Sequence, residues 1–99
     1  MTTLRIELQV RDYDLWHSAF ERDSGGRRQS GMRRYRIFRP VDDPACVMVE
    51  GDFDQPAQAQ AFLDVMRSTV WNDPEKAPAK LGAPRIHIVD LVESHEYDV

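Results

Sequence analysis

The chain has little of what most often announces a function. Cys46 is its only cysteine, so no disulfide framework can form, and the default setting is a reducing cytoplasm. No apolar run approaches the ~20 residues of a membrane span, and the first residues lack the basic-then-apolar layout of a secretory signal. The three histidines, His17, His87 and His95, are scattered with no two at ligand spacing, which speaks against a metal site. Glycine-rich phosphate loops and serine nucleophile elbows are missing, so neither a nucleotide nor a serine-hydrolase chemistry is indicated. A net charge of −4 disfavours nucleic acid and anionic membrane as general partners. The expectation is a cytoplasmic protein that works without metal or cofactor.

What is present is a regular change of apolar period. Leu4, Ile6, Leu8 and Val10 alternate with Arg5, Glu7 and Gln9, the mark of a half-buried strand. Tyr13, Trp16, Ala19 and Phe20 then recur at helical spacing, and strand-like runs surround Tyr35–Ile37 and Val47–Val49. A second helical stretch carries Ala61, Phe62, Val65, Met66, Thr69 and Val70, and Ile86, Ile88 and Val92 form a last strand. The order is βαββαβ, an α+β ferredoxin-like arrangement over residues 1–99 as one domain. It implies a four-stranded antiparallel sheet in spatial order 4-1-3-2 with two helices on one face. Such a fold hosts many activities, so function has to be argued from the site.

Local signals place the element ends. Asp12 is an N-cap for the first helix, and Gly25 and Gly26 stop it. Asp54 is the expected cap of the second, with Pro56 tolerated in its first turn, and that helix should run to about Trp71 or Asn72. Pro74, Pro78 and Pro84 break up the route to the last strand, leaving room for a short turn near Glu75 to Lys80. Pro40-Val41-Asp42-Asp43-Pro44 is a hairpin turn. In one pairing parity Arg36 faces Glu50, Arg34 faces Asp52, Ile37 faces Val49 and Phe38 faces Met48. Charge and apolar complementarity agree only there, each pair contributing roughly 0.2–1 kcal/mol.

That register divides the sheet. One face holds Leu4, Ile6, Leu8, Tyr35, Ile37, Val47, Val49, Ile86 and Ile88, and must lie under the helices. The other holds Arg5, Glu7, Gln9, Arg34, Arg36, Phe38, Met48, Glu50, His87, Val89 and Leu91. A face half charged and half apolar is best covered by its own twin across a two-fold axis, giving a homodimer and a cavity of mixed lining. His87 on that face is a candidate general base, since imidazole exchanges protons near neutrality; an interface histidine is the plainer reading. Glu7, Gln9, Arg34, Arg36, Phe38 and Glu50 are candidate ligand contacts, although the charged ones are also explained by pairing with one another. Trp71 is a stacking partner for a planar ligand, or simply core. The arginine cluster from Arg22 to Arg39 suits an anion, or else reflects a codon bias that favours arginine over lysine throughout.

Val10-Arg11-Asp12-Tyr13-Asp14-Leu15-Trp16, Phe20, Gly31, Tyr35-Arg36-Ile37-Phe38-Arg39, Asp42-Asp43-Pro44, Phe53-Asp54 and Ala61-Phe62-Leu63 resemble the dimeric α/β-barrel superfamily. This superfamily contains the antibiotic biosynthesis monooxygenases and small uncharacterised cyclase-like proteins. The resemblance covers nearly the whole chain and is weakest between Trp71 and Pro84. It implies a homodimeric barrel, a pocket between the sheet and the second helix, and a cofactor-independent monooxygenase or cyclase-like enzyme acting on a small aromatic or polyketide-like molecule. A non-catalytic dimeric module for ligand binding or assembly is the alternative. Haem-degrading members use a first-strand asparagine with a tryptophan and a histidine on the second helix. Trp71 matches the tryptophan by location, but Glu7 and Gln9 stand where the asparagine is needed and no histidine follows Trp71 in the helix.

Overall fold

A computed structural model describes residues 1–98. Strand β1 (Thr2–Val10) leads into helix α1 (Tyr13–Glu21), then β2 (Arg34–Phe38), β3 (Cys46–Phe53), α2 (Pro56–Val65) and β4 (Lys80–Asp90). The sheet order is β2-β3-β1-β4, antiparallel throughout. This is the ferredoxin-like βαββαβ topology and the spatial order that the periodicity predicts. Leu4, Val47 and Phe53 on the helix-side face are almost wholly buried, and Trp16, Phe62 and Leu63 from the helices close over them.

The hairpin has the expected register: Arg34 opposite Asp52, Arg36 opposite Glu50, Ile37 opposite Val49 and Phe38 opposite Met48. Asp12 is extended at φ −155° and its carboxylate accepts from the Leu15 amide at 3.0 Å, satisfying one of the unpaired first-turn donors. The second helix departs from expectation at its start and ends about where expected, but with a wider last turn. Its cap is Gln55, whose amide donates to the Gln58 side chain at 3.0 Å, because Asp54 is drawn into a 2.7 Å pair with Arg33. At the other end α2 passes into a π-helical turn, Met66–Val70. The turn is closed by the Trp71 amide donating to the Met66 carbonyl at 2.8 Å. The Thr69 hydroxyl occupies the Val65 carbonyl at 2.7 Å, a competition with the α-helical ladder that favours the wider turn.

The last strand also differs: it starts at Lys80 and ends at Asp90. Pro84 is accommodated because β4 is an edge strand and the ladder is interrupted there. Glu7 pairs with Arg85 and Gln9 with Leu81, leaving residues 82–84 in a bulge, with Gly82 at φ +69°. A proline without an amide donor and a left-handed glycine both fit such a break. The turn expected before this strand is present, with the Lys76 and Ala77 amides bonding the Asp73 carbonyl. Residues 91–98 have no regular structure. No helix among the described residues is long and apolar enough to cross a membrane.

Removing the Asp12 carboxylate isolates one of these local devices. Asp12→Ala should cost about 1 kcal/mol, read as a lower urea midpoint with an unchanged slope; no loss would mean that packing of Trp16 and Ala19 alone holds α1.

Candidate functional site

Strand alternation places the candidate residues on two different surfaces. Arg5, Glu7, Arg34, Arg36, Phe38, Glu50 and His87 share the face away from the helices, where β1 sets Arg5 opposite both Glu50 and His87. Gln9 follows on the same face opposite Cys46. Trp71 stands across the sheet from all of them, beneath the π turn, among the core residues. The backbone of the sheet therefore separates His87 and Phe38 from Trp71, and these three do not form one wall within a chain.

The open face is organised by carboxylates on β3. Glu50 accepts from Arg36 at 2.7 Å and from Arg5 at 3.0 Å. Asp52 accepts from Arg34 at 3.1 Å, from Arg36 at 3.4 Å and from the Thr3 hydroxyl at 2.7 Å. Burial by itself pushes the Asp52 carboxyl up, but the hydrogen bonds from Thr3 and Arg34 and the charges of Arg36 and Arg34 outweigh it and hold it below the usual carboxylate range. Beside this network lies a depression of about 160 Å³ edged by Arg5, Glu7, Met48, Glu50, Arg85 and His87. His87 is exposed there. Cys46 is buried near Glu7, and that burial, reinforced by the Glu7 charge, pushes its thiol up, which makes it a poor nucleophile.

Most of the arginine cluster is spent inside the molecule. Arg22 caps the Glu75 carbonyl at 2.7 Å, Arg33 pairs with Asp54, Arg39 bonds the Pro44 carbonyl at 2.9 Å and lies over Tyr13. Arg27 bonds the Phe20 carbonyl at 2.8 Å while its guanidinium sits 3.8 Å from the Phe20 ring centre. Among the described residues Arg28 makes no hydrogen bond or ion pair through its side chain.

The second surface is a cavity on the helix side, between the sheet, α1, α2 and the π turn. Leu4, Ile6, Leu8 and Val49 form its floor, Trp16, Phe20, Phe62 and Trp71 its aromatic walls, and its volume is about 70 Å³. That is well short of the roughly 300–1,000 Å³ of sites for drug-sized ligands. Two methionines occupy the remaining space. Met32 lies over Gly51, where a Cβ would come within 2.5 Å of its methyl, and Met66 lies over Gly25, where the thioether would be 2.6 Å away. Thioether side chains are unbranched and adapt readily to irregular space. Sequence reasoning missed Met32 and Met66. The available signal was Gly51, an isolated glycine inside a strand, which marks a close approach.

Asp52 generates a pH-dependent prediction. Its folded pKa is depressed, so its stabilisation is fully present above the unfolded carboxylate pKa of about 3.9 and is lost as pH falls through the lower folded value. Asp52→Asn should lose about 1–3 kcal/mol at neutral pH and converge with the parent in strong acid. Urea midpoints across pH check this, and a gap that stays constant would exclude the ionic contribution.

No family model and no curated protein matches the sequence. Solved structures do match the fold. A candidate antibiotic biosynthesis monooxygenase from Bordetella bronchiseptica aligns with a TM-score of 0.71 at 11% identity, over 93% of this chain and 98% of that one. SnoaB, a cofactor-independent oxygenase from Streptomyces nogalater, aligns at 0.69 and 13% identity over 94% of each chain. A protein of unknown function from Nitrosomonas europaea aligns at 0.59 and 17% identity, over 98% of this chain and 94% of that one. The chain thus has the ferredoxin-like fold of the antibiotic biosynthesis monooxygenase structures, the fold its residues resemble.

Proposed function

We propose that this protein is a homodimeric, cofactor-independent oxygenase that takes a small planar aromatic molecule into the helix-side cavity. The observation that carries the reading is that cavity: apolar on its floor, walled by Trp16, Phe20, Phe62 and Trp71, and plugged by two displaceable methionines. It lies in a fold shared with SnoaB. The open face supports the dimer. Arg5, Arg34, Arg36, Glu50 and Asp52 on it are already neutralised by one another, which lowers the penalty of burying them, and Phe38 and Val89 remain exposed beside them. Packing two copies there also encloses His87 and its depression. A cytoplasmic setting fits the lone buried thiol.

The chemistry suited to such a cavity is oxidation of an aromatic ketone with an acidic methylene, anthrone being the simplest case. Loss of a proton gives an enolate electron-rich enough to reduce dioxygen. One oxygen atom becomes the new carbonyl and the other leaves as water, carrying both methylene hydrogens. The protein's share is to hold the rings flat against Trp71 and to exclude water. A non-catalytic binding module is the second reading, favoured by one observation: the ionisable side chains that line the cavity, Asp23, Arg27, Lys76 and Lys80, are borne by the α1–β2 loop and by the Lys76–Lys80 stretch rather than by the aromatic walls.

Oxygen uptake with anthrone distinguishes the two. Under the enzyme reading, Trp71→Ala lowers turnover about 10–100-fold through lost positioning. His87→Ala leaves turnover within about 2-fold, because the sheet separates it from the bound rings; a loss of roughly 100-fold would move the chemistry to the open face. Binding of anthrone without oxygen uptake selects the module. Light scattering should give a dimer, and a monomer at micromolar concentration would sink the assembly.

A further inference from the structure

Lysine is scarce in this chain: of its 13 basic residues only Lys76 and Lys80 are lysines. Both line the same helix-side cavity, and Arg27 is the third cation there. The one carboxylate among the lining residues, Asp23, is already engaged by the Arg27 amide at 2.8 Å and lies 3.6 Å from its guanidinium. Lys80 spends a single N–H on the Gly82 carbonyl at 2.8 Å, and among the described residues Lys76 makes no side-chain hydrogen bond or ion pair. The lining therefore carries three cations against one anion, in a chain whose net charge is −4. Lysine is a compact, strongly hydrated point charge on a flexible stem. Two of them beside an apolar cavity fit a ligand whose charge stays at the solvent edge while its body is buried.

We propose that the molecule bound by this cavity is an aromatic carboxylate, its rings between Trp71 and the sheet and its carboxylate held by Lys76 and Lys80. This rests on the reading of the helix-side cavity as the ligand site and narrows that reading to one class of ligand. The charge also fixes orientation. A carboxylate anchored at the lysines presents the far edge of the ring system to the floor formed by Leu4, Ile6 and Val49, so one end of the molecule is selected for any reaction there.

Naphthoate and naphthamide share a ring system and differ in charge, and their binding can be followed by calorimetry and by tryptophan fluorescence. At low ionic strength naphthoate should bind about 10-fold more tightly, the sum of a few partly exposed charge contacts. The preference should collapse in high salt and in the Lys76→Gln/Lys80→Gln double variant, with the naphthamide affinity unchanged. Equal affinities in the parent protein would overturn the charge selection while leaving the cavity reading intact. Failure of both probes to bind would overturn both. A preference that survives the double lysine variant, or one that disappears in Arg85→Gln instead, would place the carboxylate elsewhere and overturn the assignment.

Discussion

Two carboxylates on β3, Glu50 and Asp52, sit in the middle of the open face with arginines approaching from both neighbouring strands. Arg34 and Arg36 reach them from β2 and Arg5 from β1. Side chains alternate across a strand, so this arrangement also dictates the opposite face: Val47, Val49, Gly51 and Phe53 must point towards the helices. A slip of one residue in either pairing would expose that apolar set and leave the arginines facing a greasy surface. The ion pairs contribute little individually at half-exposed positions. Their consequence is the register, and the helix-side cavity exists only in that register.

The parts of the fold that the sequence made legible are those decided by neighbours along the chain or by a short hairpin. The pairing of Arg36 with Glu50 could be read because the turn from Pro40 to Pro44 fixes which two runs meet and only one parity satisfies both charge and apolar pairs. Asp12 could be read because its partner, the Leu15 amide, is three residues away. Asp54 looks equally good as a cap, yet Arg33, remote in sequence, competes for it and Gln55 takes the role. The early start of β4 was hidden for a similar reason. Pro84 reads as a breaker until the strand is known to be an edge with a bulge at that point.

The candidate site divides along the same line. The membership of each sheet face follows from alternation, so the placement of His87 with Glu7 and Glu50, opposite the core, was accessible. Trp71 was accessible as the end of the second helix and as core; what periodicity hides is the π turn that shifts the phase of the last residues. Met32, in an arginine-rich connection, carries no periodic signal that would draw it into the cavity. The residues that fill the cavity are harder to read than those that build its floor, because Met32 comes from a loop and Met66 from the π turn, while the floor comes from strands.

The separation of the two surfaces has a chemical meaning. On the open face, Arg5, Arg34, Arg36, Glu50 and Asp52 satisfy one another, which lowers the cost of covering that surface in the proposed dimer. On the helix side, aromatic and aliphatic walls offer no fixed dipole to compete with a ligand, and charge enters only as Asp23, Arg27, Lys76 and Lys80. For the proposed ligand, burial of an apolar body there contributes about 25 cal/mol per Å² of surface removed from water, less the cost of moving Met32 and Met66. Those thioethers are the right fillers for that purpose. Branched side chains in their place would be stiffer fillers, whereas methionine keeps the core packed and, for the proposed ligand, can give way at little strain.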